Sequence, residues 1–301
     1  MKTLLMVALA IACSSCAALR PQPANLDPSL ALLIPSDTIA IVAVRLDQLQ
    51  KTSIYQKYVP QGISQIDEFA KQTGIDPRRN LWDVVFITNG KKSAVLGRGM
   101  FSDESEPRLD NLTRQGAKRF GYKGLNLVGD DSNAVLMVSP TVLAAGDTAF
   151  LKQMVDTRDK STGPPPALAA LIKDIPRDSQ LWAAYAGGPI NLPFEPGSNL
   201  GNANKVLGLI QQGSYNFDLR TGLNGVAMGQ TSTEQDAQQL EGALKGLIGL
   251  GRLSTPSNQP DAQKIWDGFR VTEQNKQVKL YVDEPPDQIE KIIGLAQTFR
   301  R

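Results

Sequence analysis

The chain has 301 residues, 41% of them hydrophobic and 21% charged, with a net charge of +2, no histidine and two cysteines. This is an ordinary globular composition that excludes wholesale disorder, and the small net charge with dispersed basic residues leaves no electrostatic footprint for nucleic acid. The absence of histidine removes Ser-His-Asp and Cys-His nucleophile systems, H-E-x-x-H metalloprotease chemistry and most zinc sites in one step.

In chain order, Lys2 provides a positive start and Leu4 to Ala12 an apolar run followed by small residues, the pattern of a secretory signal. The run holds less than half of the roughly 20 apolar residues that a spanning helix needs. Its end, "ALAIACSSCAAL" (residues 8–19), carries both cysteines. Small residues immediately before a cysteine resemble the bacterial lipobox, and that resemblance implies a cysteine thioether-linked to diacylglycerol and exposed as the new N-terminus. Ala10-Ile11-Ala12 before Cys13 matches the small-residue pattern better. Signal length favours Cys16, which as acceptor would also leave no free thiol in an oxidising compartment. Cys16 is therefore the expected lipidation site, with Cys13 the alternative. A redox C-x-x-C would open a helix after a strand, whereas this pair lies in or beside the signal. The residue after either cysteine, Ala17 or Ser14, is not Asp, so similarity to sorting rules implies the outer membrane, facing the periplasm, where the host has one.

These features divide the chain into a lipoprotein signal peptide (1–15), a tether (16–29) without periodicity, a first half (30–160), a Pro-rich linker (161–166) and a second half (167–301). In the first half a buried strand is expected over Thr38 to Val44, then a helix from Asp47 to about Tyr58 and a helix end at Gly74. Strands Trp82 to Thr88 and Ser93 to Phe101 flank Asn89-Gly90, a strong hairpin signal. A helix over Arg108 to Gln115 follows. Strands near Tyr122 to Val128 and Ala134 to Val138 then surround "GDDSN", and a helix over Thr148 to Asp156 is capped by Asp147.

The second half restarts the same way: Ile34, Pro35, Asp37 and Thr38 match Ile175, Pro176, Asp178 and Ser179, each pair 141 residues apart. A helix around Asn202 to Gln211, strands Ser214 to Arg220 and Leu223 to Gln230, and a helix from Glu234 with Thr231 and Glu234 as its capping box come next. That helix would bury Ala237, Leu240, Leu244, Leu247 and Ile248. A hairpin over Phe269 to Thr272 and Val278 to Val282 precedes a final helix from Asp287. The expected fold class is α+β, in two related halves, each strand-helix-hairpin-helix-hairpin-helix, with their sheets packed with helices and against each other through apolar faces. The segments "IPSDTIAIVAVRLDQL", "TGIDPRRNLWDVV" and "FRVTEQNKQVKLYVDEP" resemble uncharacterised bacterial envelope proteins with a Pro-x-Asp-Thr strand start, a resemblance that implies fold and location and carries no catalytic residues.

No catalytic residue, metal site or cofactor is expected. "GLIGLGR" (246–252) follows a helix instead of opening one, so it reads as a helix C-terminus and not a phosphate loop. "GDDSN" (129–133) reads as a hairpin turn, with too few oxygens for calcium. In "YVDEPPDQIE" (281–290), Asp283, Glu284 and Asp287 read as helix-start acids. Trp82, Trp182 and Trp266 are the candidate ligand-groove residues, weighed against plain strand-edge packing. The expected function is a lipid-anchored binding or scaffold protein of the cell envelope, holding the bilayer through the acylated cysteine and taking an envelope protein, an apolar ligand or a glycan, without nucleic acid. The alternative is a glycoside-type envelope hydrolase using a carboxylate pair.

Overall fold

The computed structural model describes residues 25–58, 67–68, 70–71, 75–101, 109, 112–190, 205–255 and 263–289. The expected signal segment, Cys13, Cys16 and the helix end at Gly74 lie outside these residues. Among the described residues twelve strands form the frame: β1 Ala40–Arg45, β2 Leu81–Thr88, β3 Ser93–Gly99, β4 Lys118–Tyr122, β5 Leu125–Gly129, β6 Asn133–Ser139, β7 Val142–Asp147, β8 Leu181–Tyr185, β9 Ile210–Asp218, β10 Leu223–Thr231, β11 Phe269–Gln274 and β12 Gln277–Glu284. All belong to one antiparallel sheet in the order β11-β12-β10-β9-β8-β1-β2-β3-β7-β6-β5-β4.

The fold is thus α+β, and it corrects the expected arrangement of the halves. Their strands do not stack face to face; β1 and β8 pair edge to edge at the sheet centre, Val42 opposite Ala183. Backbone pairing there satisfies two rows of N–H and C=O groups that face-to-face packing would have left open.

Strand alternation gives the sheet two apolar faces. On the first, Ile41, Ala43, Val85, Ile87, Leu96, Leu136, Ala144 and Trp182 pack against Phe150, Leu151 and Met154 of helix Thr148–Arg158 and Leu168, Leu171 and Ile172 of helix Pro166–Lys173. This core takes residues from both sides of the expected linker, so the Pro-rich stretch does not divide one core from another. Pro166 instead starts a helix at its first turn, where a missing N–H is harmless. The last residues of the expected tether are also in the fold. Leu26 is buried, the Asn25 amide donates to the carbonyls of Ile172 and Ile175, and Asp27 caps helix Pro28–Ala31.

Other differences have local causes. The expected helix from Asp47 is two short ones, Leu46–Leu49 and Ser53–Tyr58. The expected strand near Tyr122 to Val128 is a hairpin, turned at Lys123 and Gly124, both with positive φ. Strand β7, "VLAAGD", has no counterpart among the expected elements, because its small residues give no β-branched signal. Asp147 stands at the N-cap position of the next helix, as expected, but its carboxylate makes no cap hydrogen bond and accepts from the Ser93 N–H at 2.6 Å instead. Of the expected helix around Asn202 to Gln211, residues 202–204 lie outside the described residues, 205–207 are helical, and Ile210 and Gln211 already belong to β9.

Candidate ligand site

The second apolar face of the sheet carries Val42, Phe86, Val95, Tyr215, Ala227, Leu280 and Val271, which lie opposite one another from strand to strand. Helix Glu234–Ser254, the long helix, crosses one side of it. Its capping box is Thr233 with Asp236, two residues later than expected, because β10 runs on through Thr231. Ala237 and Leu240 are buried against Val271 and Val278, with Leu244 and Ile248 beside them. The expected apolar stripe is therefore present, except that Leu247 is 57% exposed.

Between this helix, residues 206–210 and the sheet is a cleft of about 280 Å³, lined by Val206, Leu207, Ile210, Ala227, Met228, Gly229, Leu240, Leu244, Leu247, Val278 and Leu280. None of these side chains carries a charge, a hydroxyl or an amide. Such a lining offers dispersion contacts and the hydrophobic effect, with no group to polarise a bond or move a proton. The sequence signal for it was the helix stripe; the sheet side comes from separate strand segments whose convergence no local pattern encodes.

The three tryptophans are not brought together, and none lines the cleft. Trp182 is fully buried in the first core, where its Nε1 has no partner among the described residues. Trp82 lies under the Arg98 guanidinium at 5.1 Å. Trp266 packs on Gly251 and Phe269 and donates from Nε1 to Thr255 Oγ1 at 3.0 Å.

A second cleft, about 350 Å³, is polar and lies where Asn25 joins the fold, lined by Asp27, Arg45, Asp47, Asp83 and Arg98 among others. One guanidinium, that of Arg98, reaches both Asp83 (2.5 Å) and Asp27 (3.3 Å). Burial raises the Asp83 pKa, with Arg98 opposing the shift. Asp27 is also engaged as a helix cap, accepting from the Ser29 N–H at 2.9 Å. This is a pair of carboxylates tied to one cation, the arrangement of a structural bracket.

The other sequence candidates resolve by position. "GDDSN" is a hairpin turn in which Asp130 Oδ1 accepts from the Ser132 and Asn133 N–H groups, holding its carboxyl below the usual range. "GLIGLGR" lies inside the long helix, not at its frayed end, since the helix continues to Ser254. Asp283 and Glu284 belong to β12 and not to a helix start. Glu284 is buried, its Oε1 has no partner among the described residues, and burial with Asp283, Asp267 and Asp287 nearby pushes its pKa up to about 7. Among the described residues no cluster of potential ligands could hold a metal ion, and no helix is long and apolar enough to cross a membrane.

No protein-family model and no curated protein sequence matches the chain. Solved structures do. Crystal form III of TP0453 aligns with a TM-score of 0.53 at 10% identity, over 90% of this chain and 98% of that one. Crystal form IV aligns with a TM-score of 0.51 at 11% identity, over 90% and 97%. At such identity the likeness is one of fold: the arrangement over most of this chain is also found in TP0453.

Proposed function

We propose that the protein is a lipid-anchored binding protein of the cell envelope that accepts one apolar chain, such as an acyl chain, in the cleft beneath the long helix. The all-apolar lining of that cleft carries the reading. Its volume, about 280 Å³, lies at the lower end of ligand pockets and suits one chain better than a whole two-chain lipid. The lipobox resemblance around Cys16 supplies the location and the bilayer as partner.

Titration of the protein with a fluorescent fatty acid tests the reading. Binding should be saturable and should be lost in Ala227→Phe, which fills the cleft, while circular dichroism stays unchanged. Equal binding by the variant would overturn it. The rival hydrolase would use Asp27 and Asp83, so turnover of a cell-wall glycan that disappears in Asp83→Asn would displace this reading.

The scaffold supports an origin by duplication of one α+β unit. The 141-residue offset of the repeated Pro-x-Asp motif makes Val42 the counterpart of Ala183, and these two residues face each other at the sheet centre. Going outward, Phe86 and Tyr215, Val95 and Ala227, Ala145 and Leu280, and Val135 and Val271 occupy matching steps. The repeated Asp has the same task in each half. Asp37 accepts from Asn89 at the β2–β3 turn, and Asp178 pairs with Arg220 at the β9–β10 turn. The β4–β5 hairpin is the first half's addition.

A further inference from the structure

We infer that the C-terminal tip of the long helix, through Leu250 and Leu253, docks in the surface of the bilayer to which the chain is tethered. The inference rests on the lipid-anchored reading above. Leu247, Leu250 and Leu253 are 57, 61 and 84% exposed and stand on adjoining turns of one helix. Isolated exposed leucines need no explanation, but three at helical spacing form a ridge, and this one begins at the cleft, whose wall includes Leu247.

What covers the ridge follows from where it points. Trp266 packs on Gly251 and Arg252 pairs with Asp267, which places the helix tip beside the start of β11. From there the sheet register runs Phe269, Val282, Gly225, Phe217, Leu181, Val44. The tip therefore shares one end of the sheet with Arg45, and the Arg45 guanidinium donates to Asn25, where the N-terminal chain joins the fold. The nine steps from Cys16 to Asn25 span at most about 30 Å when fully extended. The anchor thus holds that end of the sheet within about 30 Å of the headgroups, and the opposite end, with the β2–β3 turn at Lys91, faces away. Arg252 and Lys245 are paired with Asp267 and Glu241, so the contact is apolar and does not need anionic lipid. The ridge then gives an acyl chain a continuous apolar route between bilayer and cleft.

The test places an environment-sensitive fluorescent amino acid at position 253 of the full chain, and in a second protein at position 91, each reconstituted into neutral phosphatidylcholine vesicles with spin-labelled acyl chains. Quenching should be several-fold stronger at 253 than at 91 and insensitive to salt. Equal quenching at the two positions overturns the proposal, and so does quenching at 253 that salt abolishes. Both positions are exposed, so neither substitution threatens folding, which circular dichroism checks. Fatty-acid titration of the same proteins keeps the two readings apart. Quenching at 253 without saturable binding supports docking and sinks the cleft reading; binding without selective quenching does the reverse.

Discussion

At the scale of single residues, two carboxyl groups give the fold opposite responses to pH. Arg220 donates to Asp218 and lowers its pKa from 3.8 to about 2. A group depressed in the fold adds stability above its unfolded pKa, and this share is lost as the pH falls from about 4 towards 2. Glu284 is raised from 4.5 to about 7, so its contribution is fully present below 4.5 and is lost as the pH rises through 7. Urea unfolding followed from pH 4.5 to 8 should therefore show stability declining, and Glu284→Gln should flatten that decline, gaining about 1–3 kcal/mol at pH 8. A variant as pH-dependent as the parent would locate the response elsewhere. From the sequence, Asp283, Glu284 and Asp287 look equivalent. Only the extension of β12 through Glu284 separates them, and strand ends depend on long-range partners. The tryptophans mislead for the same reason: ring type is visible in a sequence, and convergence of rings is not.

At the scale of elements, the long helix holds Gly242, Gly246, Gly249 and Gly251, each costing up to about 1 kcal/mol against alanine. A Cβ at Gly246 or Gly249 meets open space, whereas at Gly251 it would run into the Trp266 ring. Gly246→Ala and Gly249→Ala should each raise the melting temperature, by up to about 1 kcal/mol of stability. Gly251→Ala should lower it, by roughly 1–3 kcal/mol. Stabilisation by all three would mean that Trp266 does not hold the tip. The helix itself was readable from its apolar stripe, because its period is local. Its glycines pointed to an early end because propensity ignores the Trp266 contact and the packing of buried Leu240 and half-buried Leu244 and Ile248 that keeps the last turns in place. Hairpins β2–β3, β9–β10 and β11–β12 were legible as well, since turn residues and alternation sit side by side in the chain. By contrast, β7 could be found only through its two neighbours.

At the scale of the whole molecule, the first core draws on both halves, so they should unfold together. Trp182, from the second half, is fully buried in the core that both halves build, on the strand position opposite Ala43. Trp182→Ala should cost about 3–5 kcal/mol and shift one single transition, followed by calorimetry. Two separate transitions would show that the halves are independent units. The proposed relation between the halves starts from the repeated Pro-x-Asp motif, which a sequence displays because it is short and local. How they join was not visible, since edge pairing and face packing ask for the same apolar strands.

The central pairing also orders the events of folding. Strand β1 can meet β2 early, yet its other edge waits for β8, whose partner residues lie some 140 positions further along the chain. Closing so long a loop is slow, and an apolar strand with one unpaired edge is the kind of surface that sticks to other chains. A polypeptide that emerges N-terminus first therefore has a vulnerable interval, lasting until Leu181–Tyr185 arrives. A holdase that binds strand edges would be most useful during that interval, and a ribosome stall before residue 181 would leave the chain most prone to aggregate.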